Sequence, residues 1–262
     1  MNIPDYIEVG SGKTVLFLPG LEGAKEFWKY QIDDFSKKYH TVSCGYIRKI
    51  PRLSSNVAEY VSDVIDLMDF LNIEKAAVIA ESFGGMVAQE LTLQYPSRVD
   101  ALVLCNTFDK ARYKNFGINM FTIATFLHPF AFGIPRRSFK KGFLNWVGKY
   151  RGFVMDPSEG NDNLSDYVLD YGLHPGFLGY IHRILAGLKG NYASKLSEIK
   201  TPALIVRGVE DRVVDDGTIL GLVGRIKGAE LALIDGGGHC CQYTLPEKTN
   251  TAILDWLERI GY

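Results

Sequence analysis

The sequence of 262 residues has few features that would indicate a metal or a nucleic-acid partner. It has only four cysteines, none at metal-binding spacing, and the adjacent pair Cys240 and Cys241 is badly placed for a mutual disulfide. The formal net charge is −1, so no overall attraction to nucleic acid is expected. We therefore expect no metal site and no nucleic-acid partner. A reduced, cytoplasmic protein is the default interpretation.

Long apolar runs are also lacking. Residues 1–20 have no basic start followed by an apolar stretch, which is the pattern of a secretory signal. The longest uncharged stretch, 115–135, contains polar residues together with Pro129 and Gly133, so it does not predict a membrane span. The composition, with 47% hydrophobic and 23% charged residues, is instead typical of a globular protein with a large core.

The segment 76–90 is the most informative part of the sequence. Residues 76–80 are apolar without a helical period and predict a buried strand, whereas the glycines and spaced apolar residues after Ser82 predict a helix that starts at once. A serine at this junction would lie on a tight turn with its hydroxyl clear of the sheet. The N–H of Phe83 would lie at the positive N-terminus of the helix, where an oxyanion is stabilised.

The pentapeptide Ala80-Glu81-Ser82-Phe83-Gly84 resembles the nucleophile elbow of the α/β-hydrolase superfamily, with alanine in place of the usual first glycine. The resemblance implies that Ser82 is a nucleophile and that Phe83 supplies one oxyanion donor. A serine here, rather than an aspartate, argues against haloalkane dehalogenase or epoxide hydrolase chemistry. We expect Glu81 to be a local hydrogen-bonding residue.

Strands and helices alternate along the rest of the chain, which predicts an α/β fold with a mostly parallel sheet and helices on both faces. Strands are predicted at 14–18, 40–46, 101–105, 203–207 and 231–234, and helices at 27–35, from Ser54 to about Leu71, at 218–226 and at 246–260. From 108 to 195 only helical segments are indicated. Many α/β hydrolases carry a helical lid at this point. The resemblance thus implies a core of 1–107 and 196–262 with a lid at 108–195.

The loop after the first buried strand contains Pro19, Gly20 and Leu21. Lidded α/β hydrolases place their second oxyanion donor here, usually in a His-Gly pair, so the resemblance implies the backbone N–H of Leu21. A backbone donor tolerates different side chains. The missing histidine leaves the shape of this loop open.

A serine nucleophile needs a base, and the base needs an orienting carboxylate. The sequence has five histidines. His40 precedes the serine, and three others lie in the insertion. His239 alone follows a sheet strand, in a glycine-rich loop that would allow the imidazole to reach back across the strand ends. It is the predicted base.

The acid is expected between the serine and the histidine, as is usual in the superfamily. The segment 207–214 resembles the acid loop of these enzymes, and Asp211 occupies the matching position. The side chain of Glu210 should point elsewhere, and Asp215 lies one turn too far on. Asp109, which follows the preceding strand, is the alternative, because some relatives place the acid there.

The predicted lid has an unusual composition. Residues 110–151 include nine Lys or Arg, ten aromatic residues and no Asp or Glu. The aromatic residues either pack the lid onto the core or line an apolar acyl pocket beneath a basic rim. The second interpretation allows weak contact with anionic or lipid surfaces.

These residues together predict a serine hydrolase that cleaves small-molecule carboxylic esters with an apolar acyl or alcohol part, without a metal or organic cofactor. The same groups could perform C–C bond hydrolysis, amide hydrolysis or acyl transfer. A non-catalytic binding protein is a further alternative, because segments 18–20 and 102–108 are similar to the maspardin family. The histidine in the glycine loop favours catalysis.

Overall fold

The computed structural model describes residues 3–110, 141, 161–172 and 174–262. Its strands are β1 (Tyr6–Val9), β2 (Thr14–Leu18), β3 (His40–Cys44), β4 (Ala76–Glu81), β5 (Val99–Cys105), β6 (Ala203–Gly208) and β7 (Glu230–Ile234). They form one sheet in the order β1-β3-β2-β4-β5-β6-β7. Only the β1–β3 pair among these strands is antiparallel. The predicted mostly parallel sheet is confirmed.

Helices cover both faces of this sheet. They are α1 (Lys29–Phe35), α2 (Ala58–Phe70), α3 (Ser82–Gln94), α4 (Asn161–Tyr171), α5 (Phe177–Lys189), α6 (Asp216–Arg225), α7 (Cys241–Thr244) and α8 (Pro246–Arg259). Short 3-10 turns occur at Lys25–Trp28, Pro96–Arg98 and Leu196–Glu198. Among the described residues, no helix is both long and apolar enough to cross a bilayer.

Alternate residues of the central strands contribute to two cores. Val78 of β4 lies in one core with Met68 of α2, whereas its neighbour Ile79 lies in the other with Trp256 of α8. This burial on both faces explains why the strands read as continuous apolar runs. Full burial of a Val, Ile or Met side chain stabilises the fold by about 1.5–3 kcal/mol. The sheet is therefore a rigid support for the loops at its ends.

Strand β1 and the start of helix α2 differ from the sequence prediction. Strand β1 was not predicted, because four partly exposed residues at the sheet edge are too short to show a clear period. Helix α2 begins at Ala58, not at Ser54. The Asn56 side chain accepts a hydrogen bond from the Glu59 N–H, and Glu59 accepts one from the Asn56 N–H. This reciprocal cap determines where the helix starts.

The C-terminal ends of the parallel strands meet at one edge of the sheet, where open α/β sheets bind ligands. The residues that follow these ends are Leu21 after β2, Ser82 after β4, Asn106 after β5, Asp211 after β6 and His239 after β7. Helices α4 and α5 lie in the insertion between β5 and β6. Most of the predicted lid at 108–195 is outside the described residues, so the domain boundaries stay a prediction.

Candidate active site

Ser82 occupies the junction between β4 and α3. Its φ angle is +50°, a left-handed conformation that is uncommon for a residue with a side chain. The turn is tight enough that a side chain at Gly84 would lie 2.5 Å from the Leu18 and Pro19 carbonyl oxygens. The Ser82 hydroxyl is therefore presented at the strand ends, as the sequence predicted for this segment.

Ser82, His239 and Asp211 lie in one continuous line of hydrogen bonds. The distance from Ser82 Oγ to His239 Nε2 is 3.0 Å, and that from His239 Nδ1 to Asp211 Oδ2 is also 3.0 Å. Each of the three residues is only 6% exposed. With the proton on Nδ1 donated to Asp211, Nε2 can accept the hydroxyl proton of the serine. The structure thus brings together three residues that the sequence places 157 and 28 positions apart.

Asp211 is held by its own loop. Its Oδ1 accepts hydrogen bonds from the N–H groups of Val213 and Val214 at 2.7 and 3.2 Å, and Arg207 Nη1 lies 3.3 Å from Oδ2. These contacts fix the position of the Asp211 carboxyl group beside the histidine.

The other acidic residues that were considered lie elsewhere. Asp109 pairs with Arg225 at 2.6 Å. Glu210 is exposed, and Asp215 caps α6 by accepting a hydrogen bond from the Thr218 N–H at 2.7 Å. Asp211 is thus the acid that the structure places against His239.

The two predicted oxyanion donors lie just after strands β2 and β4. Phe83 is the second residue of α3, so its N–H has no carbonyl partner one turn earlier in the helix. Leu21 lies in the loop after β2, and none of the described residues accepts a hydrogen bond from its N–H. Tyr46 donates a hydrogen bond to the Pro19 carbonyl at 2.9 Å, and the Gly20 N–H donates to Glu22 Oε1 at 2.9 Å. The loop is therefore held from both sides without the usual histidine.

Glu81 does not have the local role that we expected. Its Oε1 lies 3.2 Å from His239 Nε2, while Oε2 is buried and has no hydrogen-bond partner among the described residues. The carboxyl groups of Glu81 and Glu22 both pack against the Cα of Gly20. The elbow pattern could not reveal this contact, because it depends on how far the His239 loop folds back.

Burial controls the protonation of these two carboxyl groups. Burial raises the pKa of Glu81 well above its ordinary value, and the nearby charges of Glu22 and Asp211 raise it further. Burial also raises the pKa of Glu22, although Arg183 opposes this shift. Both shifts favour the protonated carboxylic acid.

Two further residues support the site and were not predicted. Asn106 follows β5 with φ of +44°, and its side chain contacts the backbone of the His239 loop. Arg183 of α5 is fully buried and donates hydrogen bonds to the loop that contains Leu21. A polar residue directly after a buried strand is a weak sequence signal for Asn106. No local sequence pattern indicates Arg183.

The cysteines are packed residues. All four are free and buried, and Cys241 Sγ lies 3.2 Å from Asn106 Nδ2. Burial raises the pKa of the Cys105 thiol well above its ordinary value. In the part of the chain that the structure describes, no three His, Cys, Asp or Glu side chains are grouped to hold a metal ion.

Comparisons with known proteins place this geometry in a family context. Residues 13–246 match the family described as alpha/beta hydrolase fold. A 2-hydroxy-6-oxononadienedioate/2-hydroxy-6-oxononatrienedioate hydrolase of Paraburkholderia phymatum is 29% identical over 269 residues, covering 96% of this chain and 90% of that protein. Epoxide hydrolase 1 of Caenorhabditis elegans is 25% identical over 276 residues, covering 97% and 67%. A thermophilic esterase from Thermogutta terrifontis has a similar fold, with a TM-score of 0.77, 18% identity and coverage of 98% and 93%.

Proposed function

The chain belongs to the α/β hydrolase fold family, and we propose that it is a serine hydrolase that cleaves carboxylic esters with an apolar acyl or alcohol part. The observation that carries the proposal is the line of two 3.0 Å contacts from Ser82 Oγ through His239 to Asp211. A serine, a base and an orienting carboxylate in this geometry are the parts that acyl transfer needs.

In the proposed mechanism, Ser82 Oγ attacks the ester carbonyl while its proton passes to His239 Nε2. Asp211 stabilises the imidazolium through the Nδ1–H. The N–H groups of Leu21 and Phe83 stabilise the oxyanion of the tetrahedral intermediate. The intermediate collapses as His239 returns the proton to the leaving alcohol, and a water molecule then repeats the two steps on the acyl-enzyme.

The type of nucleophile bears on which chemistry fits this chain. Ser82, rather than an aspartate, argues against epoxide opening and favours attack on a carbonyl carbon. The proposed activity therefore differs from the one that names the epoxide hydrolase relative.

Ser82→Ala is the primary test. It should lower kcat for p-nitrophenyl butyrate by about 10⁴–10⁶, as removal of a nucleophile does in related chemistry. Ser43→Ala removes a buried serine on β3 and is the matched control, with activity expected near wild type. Full activity in Ser82→Ala would overturn the proposal.

C–C bond hydrolysis is a second candidate, favoured by the relative that is 29% identical. A direct comparison of kcat/KM for p-nitrophenyl butyrate and for a 2-hydroxy-6-oxodienoate separates the two. A preference for the dienoate would replace the ester assignment and keep Ser82 and His239.

A binding protein without catalysis is tested by a fluorophosphonate probe, which needs an activated serine. Labelling of wild type that disappears in both Ser82→Ala and His239→Ala is expected. Absence of labelling in the folded wild type would favour the binding protein.

A further inference from the structure

Helix α5 contacts the segment that carries one proposed oxyanion donor. Arg183 Nε donates a hydrogen bond to the Leu21 carbonyl at 2.7 Å. Its Nη2 donates to the carbonyls of Glu22 at 3.2 Å and His174 at 2.6 Å. The side chain is fully buried, so these bonds are not weakened by competing water. One guanidinium therefore holds two consecutive carbonyls of the loop after β2.

These bonds add to those of Tyr46 and Glu22 in holding a loop that contains two glycines. Gly20 precedes Leu21, and Gly23 has φ of +75°. A side chain at Gly23 would lie 2.6 Å from Arg183 Cζ, so the loop and the guanidinium are in direct contact. The hydrogen bonds to the Leu21 and Glu22 carbonyls fix the two peptide planes that follow Leu21 and so hold its Cα in place. The Leu21 N–H lies in the preceding peptide plane, which is joined to them through the φ and ψ angles of Leu21.

The same helix also contacts the side chain of Phe83, the residue that supplies the second proposed donor. Gly187 packs against the Phe83 ring, with 3.3 Å between an added Cβ and Phe83 Cδ2. His182 Nδ1 lies 2.7 Å from the hydroxyl of Tyr60, and the Tyr60 ring meets the Phe83 ring edge-on with 5.1 Å between centroids. One face of α5 is thus in contact with Phe83 and with the loop that contains Leu21.

We propose that Arg183 is a positioning residue for the oxyanion hole: by binding the carbonyls of Leu21 and Glu22, it holds in place the loop that carries the Leu21 N–H. The inference rests on the proposed function, since it needs an oxyanion that forms at Ser82. Through Arg183 of α5, the insertion between β5 and β6 acts on the rate of acyl transfer. The guanidinium of Arg183 suits this role because charged donors bind carbonyls more strongly than neutral donors do.

The test compares Arg183→Met and Arg183→Lys with a matched control. Arg98 also binds two carbonyls, those of Glu74 and Ile73, but on the loop that precedes β4. Arg98→Met therefore removes a similar set of bonds far from the site. With p-nitrophenyl butyrate, a neutral ester, Arg183→Met should lower kcat by about 10²-fold, the loss typical for one oxyanion donor. KM should change less than about threefold, and Arg98→Met should leave kcat within about twofold.

A transition-state analogue provides a readout that a general structural role would not move. The inhibition constant of a trifluoromethyl ketone, which forms an oxyanion with Ser82, should rise by about the same factor as kcat/KM falls across the variants. Arg183→Lys retains a single donor group and should fall between wild type and Arg183→Met. It also keeps the test decisive if Arg183→Met does not fold.

The outcomes separate the two proposals. If wild type hydrolyses no ester, or Ser82→Ala is as active as wild type, the proposed function itself fails. If Ser82→Ala is inactive but Arg183→Met retains kcat, the role of Arg183 alone fails. A higher KM for an anionic ester with unchanged kcat would make Arg183 a substrate-binding residue and would also overturn the inference.

Discussion

Asn106 connects the end of β6 to the histidine loop. Its Nδ2 donates a hydrogen bond to the His239 carbonyl at 2.9 Å, and its Oδ1 accepts one from the Gly208 N–H at 2.8 Å. The acid loop and the base loop are thereby joined by a single buried side chain. The relative placement of Asp211 and His239 depends on this connection.

Asn106→Ala should therefore lower kcat by about 10²-fold, because small displacements of a base are costly in acyl transfer. Asn72→Ala is the matched control. Asn72 also has a left-handed backbone, with φ of +55°, but it lies at the other end of the sheet, so both variants place an alanine in the same unfavourable conformation. Steady-state kinetics and Tm of both variants would check this. Equal kcat in the two variants would contradict the role of Asn106.

The choice of acid can be tested by two matched substitutions. Asp211→Asn should leave the fold intact and lower kcat by up to about 10⁴, because the histidine loses its orienting carboxylate. Asp109→Asn removes the carboxylate that pairs with Arg225 and should change kcat little. Kinetics of the two variants, with circular dichroism to confirm folding, give the ranking. The opposite ranking would assign the acid to Asp109.

The raised pKa of Glu81 predicts that the stability of the protein depends on pH. Its pKa is raised in the folded state, so its contribution is fully present below its ordinary value of 4.5 and is lost as pH rises through the folded pKa. Glu81→Gln cannot ionise. The free energy of unfolding of this variant, relative to wild type, should therefore increase with pH by up to about 1.4 kcal/mol per unit.

Urea denaturation at several values from pH 5 to pH 8 would measure this difference. Glu210→Gln is the control, because it removes an exposed carboxylate from the acid loop. A difference between Glu81→Gln and wild type that stays constant with pH would show that Glu81 is ionised over the whole range.

Local patterns account for the residues that could be predicted. Ser82, Asp211 and His239 each follow a buried strand, and parallel strands bring such positions to one edge. Phe83 follows Ser82 at the start of the helix, whereas Leu21 was implied only by the resemblance to lidded α/β hydrolases. The sheet itself was predictable because its strands are apolar on both faces.

The contacts that could not be predicted are long-range contacts between loops. Arg183 and Leu21 are 162 positions apart, and Asn106 and His239 are 133 apart. The contact between Glu81 and His239 depends on the path of a glycine-rich loop. The periodicity of a sequence does not report such contacts between loops, because each contact depends on the packing of elements that are remote in sequence.

Substrate choice is tested by a series of p-nitrophenyl esters. If the aromatic residues of segment 110–151 line the acyl site, kcat/KM should rise from acetate to roughly butyrate–octanoate, because each buried methylene contributes about 0.8 kcal/mol. Most of this segment lies outside the described residues, so the pocket is a prediction from composition. A profile that peaks at acetate would show that the aromatic residues do not line it.

The basic residues of the same segment make a separate prediction. An anionic ester should be bound more weakly at high salt, whereas a neutral ester of equal length should not, because salt screens exposed charges. Values of KM at 0.05 and 0.5 M NaCl, between which the Debye length falls from about 14 Å to about 4 Å, would compare the two esters. An equal response of both would contradict a basic rim.

The left-handed backbone of Ser82 implies that this protein is less stable than its core allows. A side chain at φ of +50° costs about 1 kcal/mol or more relative to glycine. Ser82→Gly and Ser82→Ala both lack the hydroxyl, so a higher Tm for the glycine variant would isolate that strain. A serine at position 82 thus lowers the stability of the fold, and selection for stability alone would favour glycine there.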